Sequence, residues 1–266
     1  MRARGRTRRS VRTVAAIGIA ASLCFAGWAT AATELVQKGN LRVSFRGTLR
    51  PKKLPRQGTA PITVRVGGRI FTTDEADPPG LTQIAIAINR RARLDPAARP
   101  SCTYGQIQPS TTAYARRVCA GARVGEGTFS ASVAIPEQAP YPSQGTVTAF
   151  NGTAGGRPVI FLHIYGTEPL PTSFTLPLRM SRGSGQFGTV LTGQLPSVDA
   201  HVGFVTGIAL ELDGGSRPGR RPYLAAGCPA PKGFPGAIFP LTRAEFHFAD
   251  GRNLLSTLVE SCTARE

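Results

Sequence analysis

The chain has 266 residues, with 32 Lys and Arg against 15 Asp and Glu and a net charge of +17. That length gives room for one large domain or two small ones around a proper core. The charge excludes cationic partners and favours anionic ones, while the 31 glycines and 22 prolines punctuate the chain without any strand-helix alternation.

Residues 1 to 12 carry six arginines and no acid, and Thr13 to Ala32 carry no charge. A cationic leader, an apolar stretch from Val14 to Trp28 and the small-residue site Ala29-Thr30-Ala31 read as a signal peptide over residues 1–32. An uncleaved membrane anchor is the second reading. Both place residues 33–266 outside the cytoplasm, secreted or in the cell envelope. Loss of the leader removes six arginines, so +17 becomes +11, and removes Trp28, the only tryptophan.

Cys102, Cys119, Cys228 and Cys262 remain, and an even set in an exported chain reads as two disulfides. Nearness in sequence favours Cys102 with Cys119 and Cys228 with Cys262, each contributing on the order of 3 kcal/mol through loop closure. No CxxC pair or neighbouring histidine supports zinc.

Strands follow in order. Leu41, Val43 and Phe45 alternate with Arg42, Ser44 and Arg46, and Ile62, Val64 and Val66 repeat the pattern. Beyond Pro78-Pro79-Gly80, Ile84, Ile86 and Ile88 alternate with Ala85 and Ala87, apolar on both faces and therefore central in a sheet. Ser110 to Gly121 is the one helix, capped by Ser110 or Thr111, with Arg116 and Arg117 in its last turn and Cys119 riding on it.

Phe129 to Ile135 resumes the strands, followed by a proline-rich crossing to Pro142. Thr146 to Phe150 and Val159 to Tyr165 flank Asn151 to Gly156, read as a hairpin loop. Further strands run through Phe174 to Met180, Gly185 to Leu195 and Phe204 to Leu212. Gly214 to Pro222 is a basic turn before Tyr223 to Ala225. The closing hairpin turns at Asp250-Gly251, with Phe246 opposite either Leu255 or Ser256. About a dozen strands and one short helix give an all-β fold, a large antiparallel β-sandwich of jelly-roll or Ig-like layering behind an N-terminal export helix. Residues 33–266 form one domain, with two tandem sandwiches divided near Pro136 to Gly145 as the second reading.

Catalytic signatures are missing. Gly183-Ser184-Gly185 lacks the spacing of a nucleophile elbow; His163, His201 and His247 lie far apart; Asp74, Glu75 and Asp77 lack calcium-loop spacing. No cofactor or metal is expected. The basic loops are the substantial lead: Arg50, Lys52, Lys53 and Arg56 in one, Arg90, Arg91 and Arg93 in a second, Arg217, Arg220 and Arg221 in a third. Such loops suit an anionic wall polymer or polysaccharide, with no specific nucleic acid and with a membrane only if the leader stays attached. Tyr104, Tyr141 and Tyr223 are the aromatic candidates for sugar contact. Oligomeric state is left open.

The stretches LRVSFRGTLRPKKLPR (Leu41 to Arg56), AFNG (Ala149 to Gly152), HIYGT (His163 to Thr167) and GCPAPKGFPGAIF (Gly227 to Phe239) resemble a family of uncharacterised secreted proteins of high-GC actinobacteria. The resemblance implies export and a single domain, and no activity. The reading is thus a non-catalytic envelope or extracellular protein; the competing one is a polysaccharide hydrolase built from dispersed carboxylates such as Glu168 or Glu211.

Overall fold

Alternating side chains generate sixteen strands in the computed structural model, which describes residues 32–133, 137, 140–195, 203–215 and 221–265. The expected export helix lies outside the described residues. The strands are β1 (Ala32–Lys38), β2 (Leu41–Arg50), β3 (Lys53–Pro55), β4 (Ala60–Pro61), β5 (Thr63–Thr72), β6 (Leu81–Asn89) and β7 (Ala92–Leu94). Two short helices, α1 (Tyr104–Ile107) and α2 (Thr112–Val118), come next. Then follow β8 (Arg123–Val133), β9 (Tyr141–Ala154), β10 (Arg157–Gly166), β11 (Thr172–Arg182), β12 (Phe187–Gln194), β13 (Phe204–Asp213), β14 (Leu224–Ala226), β15 (Gly236–Phe248) and β16 (Asn253–Arg265).

The fold is all-β. Thirteen strands form one sheet in the order β1-β2-β5-β13-β8-β9-β10-β11-β12-β6-β15-β16-β3, antiparallel throughout except β16 with β3. The layers are therefore two halves of one curled sheet rather than two separate sheets. In β2, Leu41, Val43, Phe45 and Leu49 are buried while Arg42, Ser44, Arg46 and Thr48 are more accessible, so its apolar face needs a partner. It finds one in β15, where the Phe45 and Phe246 rings meet edge to face with centroids 5.9 Å apart. The main core lies between strands from both halves, including Ile160 and Leu162 of β10, Leu210 of β13 and Leu241 of β15.

Strand β6 sits between β12 and β15, as its two apolar faces require. Strand β10 is buried on both faces as well. Ile160, Leu162 and Ile164 face the main core, whereas Val159 and Phe161 pack outward against Cys102, Ile107, Ala115 and Cys119 under the helices.

Both disulfides form as read, Cys102 with Cys119 and Cys228 with Cys262. Helix α2 is capped at its start by Thr111, whose hydroxyl accepts from the Tyr114 amide, and at its end by Cys119. A second helix, α1, was hidden by its length of one turn.

Two turns differ from the sequence reading. Asn151-Gly152 lies inside β9, and Gly155-Gly156 make the turn. The Asn151 amide is drawn inward because Nδ2 donates to the carbonyls of Pro96, Arg99 and Pro100 at 3.0 to 3.2 Å. At the closing hairpin, Phe246 faces Leu254 and His247 faces Asn253, so neither anticipated register forms. Asp250 Oδ1 accepts from the Arg252 amide at 3.0 Å, and Gly251 adopts φ +81°. The loop is thereby Ala249-Asp250-Gly251, with Phe248 bonded to Arg252. This register turns both Phe246 and Leu254 into the core.

Candidate anion-binding face

The three remaining strands, β4, β14 and β7, form a small sheet in that order. Each has only two or three residues. Their register sets Leu224 opposite Leu94, Ala225 opposite Arg93 and Pro61, and Ala226 opposite Ala92 and Ala60. Since neighbours in register share a face, Ala92, Leu94, Leu224 and Ala226 turn to the main core and Arg93 turns to solvent.

This sheet gathers basic segments that are far apart in sequence. Gly227 donates its amide to Arg91 O at 3.0 Å, and the next residue, Cys228, donates to Pro55 O at 2.9 Å. Two consecutive amides thus hold the Arg90–Arg93 segment and the Arg50–Arg56 segment beside one another. Position 227 accepts only glycine: a Cβ there would lie 2.4 Å from Gly58 O. Tyr223 ties in the third segment, because its carbonyl accepts from the Asp95 amide at 2.9 Å, two residues after Arg221.

The cations are not equivalent. Lys52 Nζ is paired with Glu260, whose side chain is 4% exposed. Arg56 donates to Ala230 O at 2.9 Å, to Phe234 O at 3.0 Å and to Pro231 O, clamping the proline-rich loop. Arg221 lies 3.6 Å from Asp95. These three are engaged within the protein. Arg50, Lys53, Arg90, Arg91 and Arg93 are exposed and, among the described residues, enter no ion pair. Arg217 and Arg220 lie outside the described residues.

Carboxylates are arranged differently. Glu211 on β13 stands directly opposite Glu126 on β8, at the rim of a groove of about 460 Å³ that also takes in Arg99, Arg123 and Asp213. Both are occupied: Glu211 pairs with Arg65, and Glu126 lies 3.3 Å from Arg116 and 3.1 Å from Arg123. Glu168 is three strands away, in the row of β10 beyond Gly166, where its carboxylate accepts from Tyr141 Oη at 3.3 Å. The structure does not bring Glu168 and Glu211 together.

The remaining candidates resolve individually. Buried His163 donates from Nε2 to Ser110 O at 3.0 Å, which leaves Nδ1 unprotonated and without a partner. Desolvation pulls its pKa below the usual imidazole value. His247 faces outward, 3.3 Å from Glu245; His201 lies outside the described residues. Asp74 accepts from Asn40 Nδ2 at 3.0 Å, and this bond holds its carboxyl below the usual range. Among the described residues no three His, Cys, Asp or Glu side chains gather as a metal site.

Tyr223 corrects the sugar-contact reading. It is wholly buried rather than in an exposed loop, and burial raises its phenol pKa. Tyr104 and Tyr141 are exposed as expected, but one opens helix α1 and the other opens strand β9. What sequence missed is the gathering itself: strands of two or three residues carry too few alternations to be read, and only their pairing joins the loops. The chain matches no family model, and no curated protein or solved structure gives a match.

Proposed function

We propose that the chain is an exported, non-catalytic protein of the cell envelope that grips an anionic polymer through Arg50, Lys53, Arg90, Arg91 and Arg93. The observation that carries this reading is the pair of consecutive amides, Gly227 and Cys228, which hold two basic segments side by side. Cations fixed on a braced backbone bind a chain of anionic groups without ordering themselves first, so less entropy is lost on binding. The two disulfides suit an oxidising compartment. No helix among the described residues is long and apolar enough to cross a membrane.

Phosphocellulose chromatography tests this. The native chain should elute above about 0.2 M salt, where weak surface charge is already screened. Against a soluble polyphosphate, Arg91→Ala/Arg93→Ala should lower the slope of log K on log salt by about two, roughly one for each phosphate no longer neutralised. Elution below that salt, or an unchanged slope in the double variant, would refute the proposal.

A further inference from the structure

A second surface lies beside this basic end, on the outer face of β15, β16 and β3. Its composition follows from strand parity. Leu254, Ser256, Leu258, Glu260 and Cys262 turn inward and are buried, so Leu255, Val259 and Arg265 turn outward. On β15, Ile238 stands opposite Ser261, which makes it a diagonal neighbour of Val259 on the same face. The ladder continues past Gly236, because Ala264 donates to Pro235 O at 2.8 Å. Phe234 precedes the strand at the end of the turn that opens at Pro231, and both it and Ile238 are exposed.

These apolar groups stand unusually clear of the protein. Phe234 is 61% exposed and Ile238 79% exposed. Phe234 is also not a loose loop residue: its carbonyl accepts from Arg56 at 3.0 Å, and its amide donates to Pro231 O at 3.1 Å. Holding a phenylalanine rigidly in water has no folding benefit. Cations surround the pair. Lys53 on β3 is the register partner of Thr263 and shares its outward face, Arg265 lies on the same face, and Lys232 is exposed two residues before Phe234. Among the described residues of β16, the one carboxylate, Glu260, points inward and is neutralised by Lys52.

A fixed apolar projection set among cations is complementary to one kind of surface, an anionic bilayer, whose headgroups take the cations and whose acyl boundary takes the apolar tips. A second protein copy would meet the same cations and be repelled. We infer that Phe234 and Ile238 dock the protein onto an anionic phospholipid membrane, with Lys53, Lys232 and Arg265 on the headgroups. This goes beyond polymer binding and uses side chains that the polymer proposal does not need, apart from Lys53.

The test is sedimentation of the full chain with phosphatidylcholine vesicles, with and without phosphatidylglycerol. The native chain should sediment only with the anionic vesicles. Phe234→Ser/Ile238→Ser should weaken that binding roughly tenfold or more, because each tip contributes apolar transfer free energy, and should leave phosphocellulose retention unchanged. Both positions are exposed, so the variant keeps its core. A reporter form, Trp28→Phe/Phe234→Trp, contains a single indole and should shift to the blue with anionic vesicles. Equal sedimentation with both vesicle types, an unaffected double variant or an unshifted indole would each overturn the inference. Vesicle binding lost together with phosphocellulose retention in the serine variant would overturn it too, since the two surfaces would then be one.

Discussion

Glu34 on the first strand of the sheet accepts a hydrogen bond from Ser256 Oγ on β16 at 2.8 Å, and the same Oε2 accepts from the Thr257 amide. A side chain thus does at this seam what a backbone ladder does elsewhere. Outside its contact with β3 at Thr263 to Arg265, β16 has its second edge turned toward β1, and an unpaired edge amide is costly if buried and an invitation to aggregation if exposed.

Replacing Glu34 by Ala should therefore cost about 1–3 kcal/mol, the range for leaving buried polar groups without a partner. Glu34→Gln, which keeps an acceptor, should cost less. Urea unfolding of the two variants measures the difference; equal and negligible losses would show that the seam is held by apolar contacts alone.

Lys52→Met is expected to be far more harmful than its partly exposed position suggests. It would strand the buried Glu260 carboxylate, whose Oε1 already has no hydrogen-bond partner. Breaking a buried pair in this way typically costs about 3–5 kcal/mol. Lys52→Met/Glu260→Leu should recover most of that loss, and failure to recover would locate the damage elsewhere in the loop.

His163 gives the fold a pH dependence of known sign. Its pKa in the native state lies below the usual 6.5 because burial disfavours the cation. Between the native value and 6.5 the unfolded chain therefore binds more protons. Stability should be flat above pH 6.5 and should fall as pH drops below it, by at most about 1.4 kcal/mol per pH unit. In His163→Gln this contribution to the slope of unfolding free energy below pH 6.5 should vanish, at most about one proton's worth. An unchanged slope would sink the assignment.

The Cys228–Cys262 bond closes a separation of 34 residues against 17 for Cys102–Cys119. Loop-closure entropy gives about 4 and 3 kcal/mol respectively. Cys228→Ala/Cys262→Ala should be the more destabilising pair. It should also weaken polyphosphate binding, since the disulfide anchors the backbone at Gly227 and Cys228 whose amides align the basic segments, whereas Cys102→Ala/Cys119→Ala should leave binding intact. The reverse ranking would contradict the proposed site.

Much of the fold was legible because alternation is a local signal. The strands around Val43, Ile86, Leu176 and Leu210 could each be read from their own residues, and so could both disulfides and the helix cap to within one residue, Ser110 or Thr111. The curl was not legible, because it depends on which face meets which, and Phe45 carries no mark of Phe246. Nor was the division of labour among the cations. Arg56 and Arg93 look alike in the sequence, yet one is consumed by three carbonyls and the other faces water. Only tertiary contacts distinguish a structural arginine from an available one.

The strand order has a consequence for how the chain is made. Strand β5 waits for β13, and β6 lies between β12 and β15, so the early third of the chain cannot complete its hydrogen bonds until the last third has emerged. Such distant pairings make for slow folding and long exposure of open edges. A protein of this topology completes its fold only after synthesis is finished, so its first strands wait with unpaired edges for partners made last.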